Sequence, residues 1–181
     1  MAGFFFSGSA KAKLDEKNRF VLPQPMRYGL VEEGNLEFTI ALGLGGCVTI
    51  YRRSDIAKIA ERFRSKQHNY KYQKFFTLFF STLHPTTCDK LGRVVLPSLL
   101  KKAAKIQDNI IIAGVLNKIE IWSEEKYEEN LQSYLFPSNA MDSSLREMAE
   151  EAFSLLDGEK ESSKDKTNEG TNVESYFCDA T

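Results

Sequence analysis

The sequence predicts an α+β fold made of two tandem copies of one β-rich unit, and three observations carry that reading. The chain aligns with itself; each copy holds short runs rich in β-branched and aromatic residues bounded by turn residues; and short helical patterns begin where those runs stop. Across 181 residues, 42% are hydrophobic and 27% charged, the composition of an ordinary soluble domain able to bury a core.

At an offset of 74, Phe5-Phe6-Ser7 falls on Phe79-Phe80-Ser81, Asp15 on Asp89, Arg19 on Arg93, and Val21-Leu22-Pro23 on Val95-Leu96-Pro97, with no gap. Eight identities within 19 positions are too dense for chance. After a small gap, Phe38 to Leu42 matches Ile110 to Gly114, and Cys47 to Tyr51 matches Lys118 to Trp122. The copies are therefore expected at 4–74 and 75–135.

Within each copy a segment ending at Asp15 or Asp89 enters a turn, Glu16-Lys17-Asn18 or Lys90-Leu91-Gly92. It emerges as Arg-Phe-Val-Leu-Pro or Arg-Val-Val-Leu-Pro, a short strand stopped by proline, so the pattern predicts a hairpin with a charged tip. Asn18 and Gly92 precede the two arginines, and these residue types most readily take a left-handed backbone, which predicts a positive φ there. Beyond the proline a short helix follows, clearest from Ser98 to Lys105 with Ser98 as expected N-cap.

Two strands come next in each copy, Leu36 to Leu42 and Val48 to Tyr51, then Asn109 to Ala113 and Ile119 to Trp122, separated by Gly43 to Gly46 or Gly114 to Asn117. Ser54 and Ser123 then open charged helices, and a further helix is expected around Tyr70 to Leu83. Phe136-Pro137-Ser138-Asn139 breaks the chain, and Ser144 to Glu147 is a capping box for a last helix over 140–156 with Leu145, Met148, Ala149 and Ala152 on one face. Residues 157–181 read as a disordered acidic tail, being nearly all polar as far as Asn172.

Taken as one figure, the net charge of -1 argues against a nucleic-acid partner. It is two opposite halves cancelled. Residues 1–123 hold 19 Lys+Arg against 10 Asp+Glu, while residues 124–181 hold 5 against 15. The apolar stretch from Phe75 to Leu83 is too short and too interrupted to span a bilayer, and the N-terminal residues lack a secretory pattern, so a cytoplasmic protein is expected. Cys47, Cys88 and Cys178, an odd number at unrelated spacings, argue against both a disulfide framework and a zinc site.

The candidate site is the pair of Asp-x-x-x-Arg tips. Lys11, Lys13, Lys17 and Arg27 stand around Arg19 in sequence, and Lys90, Lys101, Lys102 and Lys105 around Arg93. Arginine grips phosphate or the edge of guanine with two donors, and a two-stranded β-ribbon fits the major groove. Each aspartate either braces its arginine for a ligand or merely closes the turn with an ion pair. The stretch from Arg52 to Lys74 holds eight Lys+Arg against Asp55 and Glu61 with aromatics interleaved, and reads first as a solvated helix packed by those aromatics.

Enzymatic patterns are poor. His68 and His84 stand apart, and no cluster has metal-ligand spacing, so neither metal nor cofactor is expected. Ser98-x-x-Lys101 fits a serine–lysine pair formally but begins a short helix, and Gly43-x-Gly-Gly46 reads as a hairpin turn.

Two copies of Asp-x-x-x-Arg followed by Val-Leu-Pro, with Phe5-Phe6-Ser7-Gly8 at the start and Asn117 to Trp122 near the end, closely resemble the MraZ family of bacterial proteins over about residues 4–135. The resemblance implies two SpoVT/AbrB-like swapped-hairpin β-barrel repeats related by a pseudo-twofold axis, interlocked in one chain, with flanking helices. It implies a non-enzymatic transcriptional regulator of the division and cell-wall gene cluster, cytoplasmic and nucleoid-associated. Its partners would be double-stranded DNA, read as direct-repeat boxes upstream of its own gene, and further copies of itself in a ring. Carried over residue by residue, Arg19 and Arg93 take the motif arginines and Asp15 and Asp89 the motif aspartates. Lys11, Lys13, Lys17 and Lys90 join them as expected DNA contacts, with Asn18 and Gly92 supporting the turns. The usual Asp-x-x-Gly-Arg is intact at Asp89 to Arg93 and carries Asn18 for glycine in the first copy. The competing expectation is a ring-forming protein-interaction module that engages a neighbouring-gene product without DNA.

Overall fold

Short strands with apolar residues at alternate positions need ladder partners, and in the computed structural model, which describes residues 4–136 and 147–154, they find many of them across the two copies. The strands are β1 Ser9–Lys13, β2 Arg19–Val21, β3 Val31–Glu32, β4 Asn35–Leu36, β5 Phe38–Leu42, β6 Val48–Arg52, β7 His84–Thr86, β8 Arg93–Val95, β9 Asn109–Val115 and β10 Lys118–Ser123. The helices are α1 Gln24–Leu30, α2 Arg53–Arg64, α3 Gln73–Ser81, α4 Ser98–Ala103 and α5 Glu124–Leu135, with a 3-10 turn at Tyr70–Tyr72. The fold is mixed α+β.

Six strands form an antiparallel sheet in the order β1-β9-β10-β6-β5-β7. The sequence offset relates β1 to β7, β5 to β9 and β6 to β10, so this order reads alike from either edge. At its centre β10 meets β6 with Ile119 opposite Ile50. A separate ladder joins β2 to β8, with Phe20 opposite Val94 and Arg19 opposite Val95. The expected hairpins are thereby corrected: each tip closes as a turn, but β1 pairs with β9 and β2 with β8, so the arms of the first tip are not laddered to each other. Three-residue strands such as β2 bury little alone, and pairing with the other copy places Phe20 and Val94 in the core.

Period-two alternation sends Phe38 and Ile40, Val48 and Ile50, Ile110 and Ile112, and Ile119 and Ile121 into one core cluster with Phe20, Leu22, Leu96 and Leu100. That cluster draws on both copies. The chain divides into two units, Met1–Glu129 and Asn130–Thr181, and both tips and the whole sheet lie in the first. In the second, α5 ends and residues 147–154 are helical.

Several local expectations shift. Ser98 is the first helical residue and Pro97 the N-cap, with no side-chain cap bond, because the proline ring carries no acceptor. Ser54 lies inside α2, where its amide and hydroxyl both donate to Glu32, whereas Ser123 Oγ does cap α5 by accepting from Lys126 N–H at 3.2 Å. Phe5-Phe6 and Phe79-Phe80 match in sequence only: Phe6 bridges Leu116 in extended form, while Phe79 and Phe80 lie on α3 and meet Phe63 of α2. Helical spacing stacks Phe75 on Phe79, ring centroids 5.6 Å apart, and this local packing outweighs the likeness to the first copy. α3 also runs across the expected division at 74/75. Most of the capping box that opens at Ser144, the break at Pro137 and the tail over 157–181 lie outside the described residues. Among the described residues no helix is long and apolar enough to cross a membrane.

Candidate nucleic-acid interface

An aspartate that starts a tight turn can accept from main-chain N–H groups two and four residues on, and both tips are built that way. Asp15 Oδ1 accepts from Lys17 N–H and Arg19 N–H, each at 2.9 Å, while Oδ2 accepts from Arg19 Nε at 2.8 Å. Asp89 Oδ1 accepts from Leu91 N–H and Arg93 N–H, each at 2.9 Å, and Oδ2 from Arg93 Nε at 2.7 Å. The main-chain closure repeats too, with Asp15 N–H donating to Arg19 C=O and Asp89 N–H to Arg93 C=O, both at 2.9 Å. Asn18 has φ 54° and Gly92 φ 75°, as their residue types predict.

The ion pair narrows the possible roles of each arginine. Arg19 spends Nε and Nη2 on Asp15, leaving other donors of a five-donor fork uncommitted among the described residues, and its side chain is 26% exposed. The guanidinium is thus aimed by its own carboxylate while one edge stays accessible. Hydrogen bonding from Arg19 lowers the Asp15 carboxyl to about 2, and the main-chain bond from Arg93 is the main cause that holds Asp89 below its usual value. Both aspartates stay charged throughout the neutral range.

The lysines divide. Lys13, Lys17 and Lys90 are exposed and make no ion pair among the described residues. Lys13 and Lys17 line a concavity of about 550 Å³ beside Arg19 and Asp108. Lys11 is engaged elsewhere: Nζ lies 2.7 Å from Glu124 and 3.5 Å from Glu128 on α5, and its bond to Glu124 raises its pKa. Lys101 and Arg27 exchange places relative to sequence expectation. Lys101 Nζ donates to Asn18 Oδ1 at 2.8 Å, at the first copy's tip, and Arg27 lies against Gly92, at the second copy's tip. Sequence proximity misplaces them: the offset of 74 makes the two positions equivalent, and only the fold turns each to the other copy's tip.

The remaining patterns resolve simply. Ser98 and Lys101 are not brought together as a pair, since Lys101 Nζ is turned to Asn18. Gly43 to Gly46 turns β5 into β6, with Gly43 N–H donating to Cys47 C=O at 3.0 Å. On the basic stretch, Arg52 meets Asp55 at 3.0 Å, Arg53 meets Glu37 at 2.7 Å and Arg64 meets Glu61 at 3.1 Å, and Phe63 packs among the α3 aromatics. Three of its eight basic residues are thereby paired, and Lys58 lies 3.9 Å from Asp55, while Arg62, Lys66, Lys71 and Lys74 make no ion pair among the described residues. Among the described residues no group of three or more His, Cys, Asp or Glu is placed to hold a metal ion.

Residues 79–155 match the family described as "MraZ protein, putative antitoxin-like". A protein of Clostridium beijerinckii named transcriptional regulator MraZ is 36% identical over 129 residues, which cover 71% of this chain and 88% of that relative. The chain belongs to the MraZ family. Two further proteins named transcriptional regulator MraZ are similar: that of Clostridium acetobutylicum is 35% identical over 129 residues, covering 71% of this chain and 88% of the relative. That of Caldanaerobacter subterraneus is 32% identical over 144 residues, covering 79% and 93%. The MraZ match of residues 79–155 includes the second tip and α5, and extends past the tips into the C-terminal segment.

Proposed function

We propose that this chain is a sequence-specific DNA-binding transcriptional regulator that reads direct-repeat boxes upstream of its own gene, within a division and cell-wall gene cluster. The observation that carries the reading is the pair of tips: two guanidiniums, each clamped by its own aspartate through the same set of hydrogen bonds, with exposed Lys13 and Lys17 before the first and exposed Lys90 before the second. Relatives named transcriptional regulator MraZ support the reading, and fixed arginines beside unpaired lysines suit phosphate and guanine recognition. In this reading Arg19, Arg93, Lys13, Lys17 and Lys90 face DNA, Asp15, Asp89, Asn18 and Gly92 hold the turns, and Lys11 ties β1 to α5.

The fold is read as two SpoVT/AbrB-like swapped-hairpin repeats, 4–74 and 75–135, interlocked about a pseudo-twofold axis. The palindromic strand order and the β2–β8 ladder support it. Two tips make few phosphate contacts, so a single chain would bind weakly and with steep salt dependence. A ring of chains would present many tips, and repeated boxes would then gain through effective concentration. Action on DNA in the cytoplasm, at the nucleoid, follows from the same reading.

The test is fluorescence anisotropy on a labelled duplex from upstream of the chain's own gene. Arg19→Ala and Arg93→Ala are each expected to weaken binding without changing the fold. Each lost phosphate contact should flatten the slope of log affinity against log salt by about one. Unchanged binding by the double variant refutes the site.

A further inference from the structure

We propose that Arg27 and Lys101 are positioning residues for the tips, and that each acts on the tip of the opposite copy. The proposal rests on the DNA-binding reading of those tips.

The offset of 74 places Arg27 on Lys101 and Asn18 on Gly92, so the same two positions interact in both copies with different residue types. Lys101, on α4, reaches back 83 positions to donate to Asn18 Oδ1 at 2.8 Å. Arg27, on α1, reaches forward to Gly92, where a Cβ would stand 2.3 Å from Nη1 and 2.6 Å from Cζ. The guanidinium therefore lies against the bare face of the glycine. Arg27 Nε is buried there with no hydrogen-bond partner among the described residues, and no carboxylate pairs with Arg27 among them.

The main chain crosses in the same sense. Leu22 N–H donates to Gly92 C=O at 3.0 Å, and Leu96 N–H donates to Asn18 C=O at 2.8 Å. Positive φ at Asn18 and Gly92 is what leaves each turn in the form that accepts these crossed contacts. Every tip is thus clamped twice: by its own aspartate on the arginine side, and by the other copy's basic residue at the left-handed position. Two consequences follow. The spacing between the two arginines is set across the copies, and the tips are not equivalent, because the first is latched by a hydrogen bond from an ammonium to the Asn18 amide and the second by a guanidinium lying against a bare glycine.

Double-mutant cycles on DNA affinity, using the labelled upstream duplex, test the crossing. Lys101→Met is expected to weaken binding about tenfold, to lose that effect when combined with Arg19→Ala, and to keep it when combined with Arg93→Ala. Its salt slope should match wild type, since a positioning residue makes no phosphate contact, and Lys101→Arg should restore binding. Arg27→Met should couple to Arg93→Ala and not to Arg19→Ala. Additive crossed pairs, or coupling within a copy, overturn the proposal. Should Arg27→Met not fold, the exchange Gly92→Asn with Arg27→Lys writes the first copy's pair into the second. That variant is expected to bind within about twofold of wild type, and loss of binding overturns the proposal.

If Arg19→Ala and Arg93→Ala leave DNA binding unchanged, the DNA reading fails and the latch is judged by amide hydrogen exchange alone. Lys101→Met should then speed exchange at Asn18 and not at Gly92, and Arg27→Met the reverse; equal protection at both turns in both variants overturns it.

Discussion

Gly114→Ala should detach the N-terminal segment from the sheet without touching a strand's own ladder. Gly114 lies on β9, and a Cβ there would stand 2.5 Å from Ser7 N, 2.8 Å from Ser7 O and 2.9 Å from the Phe6 carbonyl carbon. All three are main-chain atoms, so no side chain can swing aside and the segment itself must move. Its movement breaks three bonds: Gly114 N–H to Gly8 C=O at 2.8 Å, Phe6 N–H to Leu116 C=O at 2.7 Å, and Leu116 N–H to Phe6 C=O at 2.9 Å. It also withdraws Phe6, now 2% exposed, from the core. Exposing a phenylalanine costs about 1.5–3 kcal/mol, and each main-chain bond nets about 1 kcal/mol at most when water replaces it. Against this, alanine restricts the unfolded chain by about 0.5 kcal/mol. Together these terms give an expected loss of about 1–5 kcal/mol. Urea unfolding followed by the single tryptophan, Trp122 on the neighbouring strand β10, measures it. Phe6→Ala supplies the control: in the Gly114→Ala background it should cost little, because Phe6 is already out. Wild-type stability of Gly114→Ala, or strictly additive losses, would refute the steric reasoning.

Three further outcomes are expected. Asp15, held at about 2 by its bonds to Arg19, contributes stability that is present above the ordinary carboxylate range and is lost as pH falls from about 4 through about 2; carboxyl NMR should show that midpoint, and Arg19→Ala should return it upward. Gly92→Ala must place a side chain at φ 75° and push Arg27 aside, so it should destabilise by about 2 kcal/mol in thermal unfolding, whereas Asn18→Gly keeps the backbone form and should lose under about 1 kcal/mol. Ser123→Ala removes a cap and should cost about 1 kcal/mol, while Ser98→Ala, which removes none, should stay within about 0.5 kcal/mol of wild type.

What the residues themselves determined is whatever closes within a few positions. The aspartate turns, the positive φ at Asn18 and Gly92, the strand pattern of β5, β6, β9 and β10 and the cap at Ser123 each involve partners within about a turn of chain or a single hairpin, and all were legible. The repeat made them legible twice, since a feature present at both Asp15 and Asp89 is hard to mistake for accident. Tertiary structure alone decided which strands pair, that Lys11 is taken up by Glu124, and that Arg27 and Lys101 serve each other's tips. Those partners stand far apart in sequence, as Lys101 and Asn18 do at 83 positions, and a local propensity is the same whichever copy supplies the neighbour. What selects the crossed pairing is burial: Phe20, Leu22, Val94 and Leu96 lie on strands and turns too short to bury themselves, and they reach one shared core when the two copies are packed through each other.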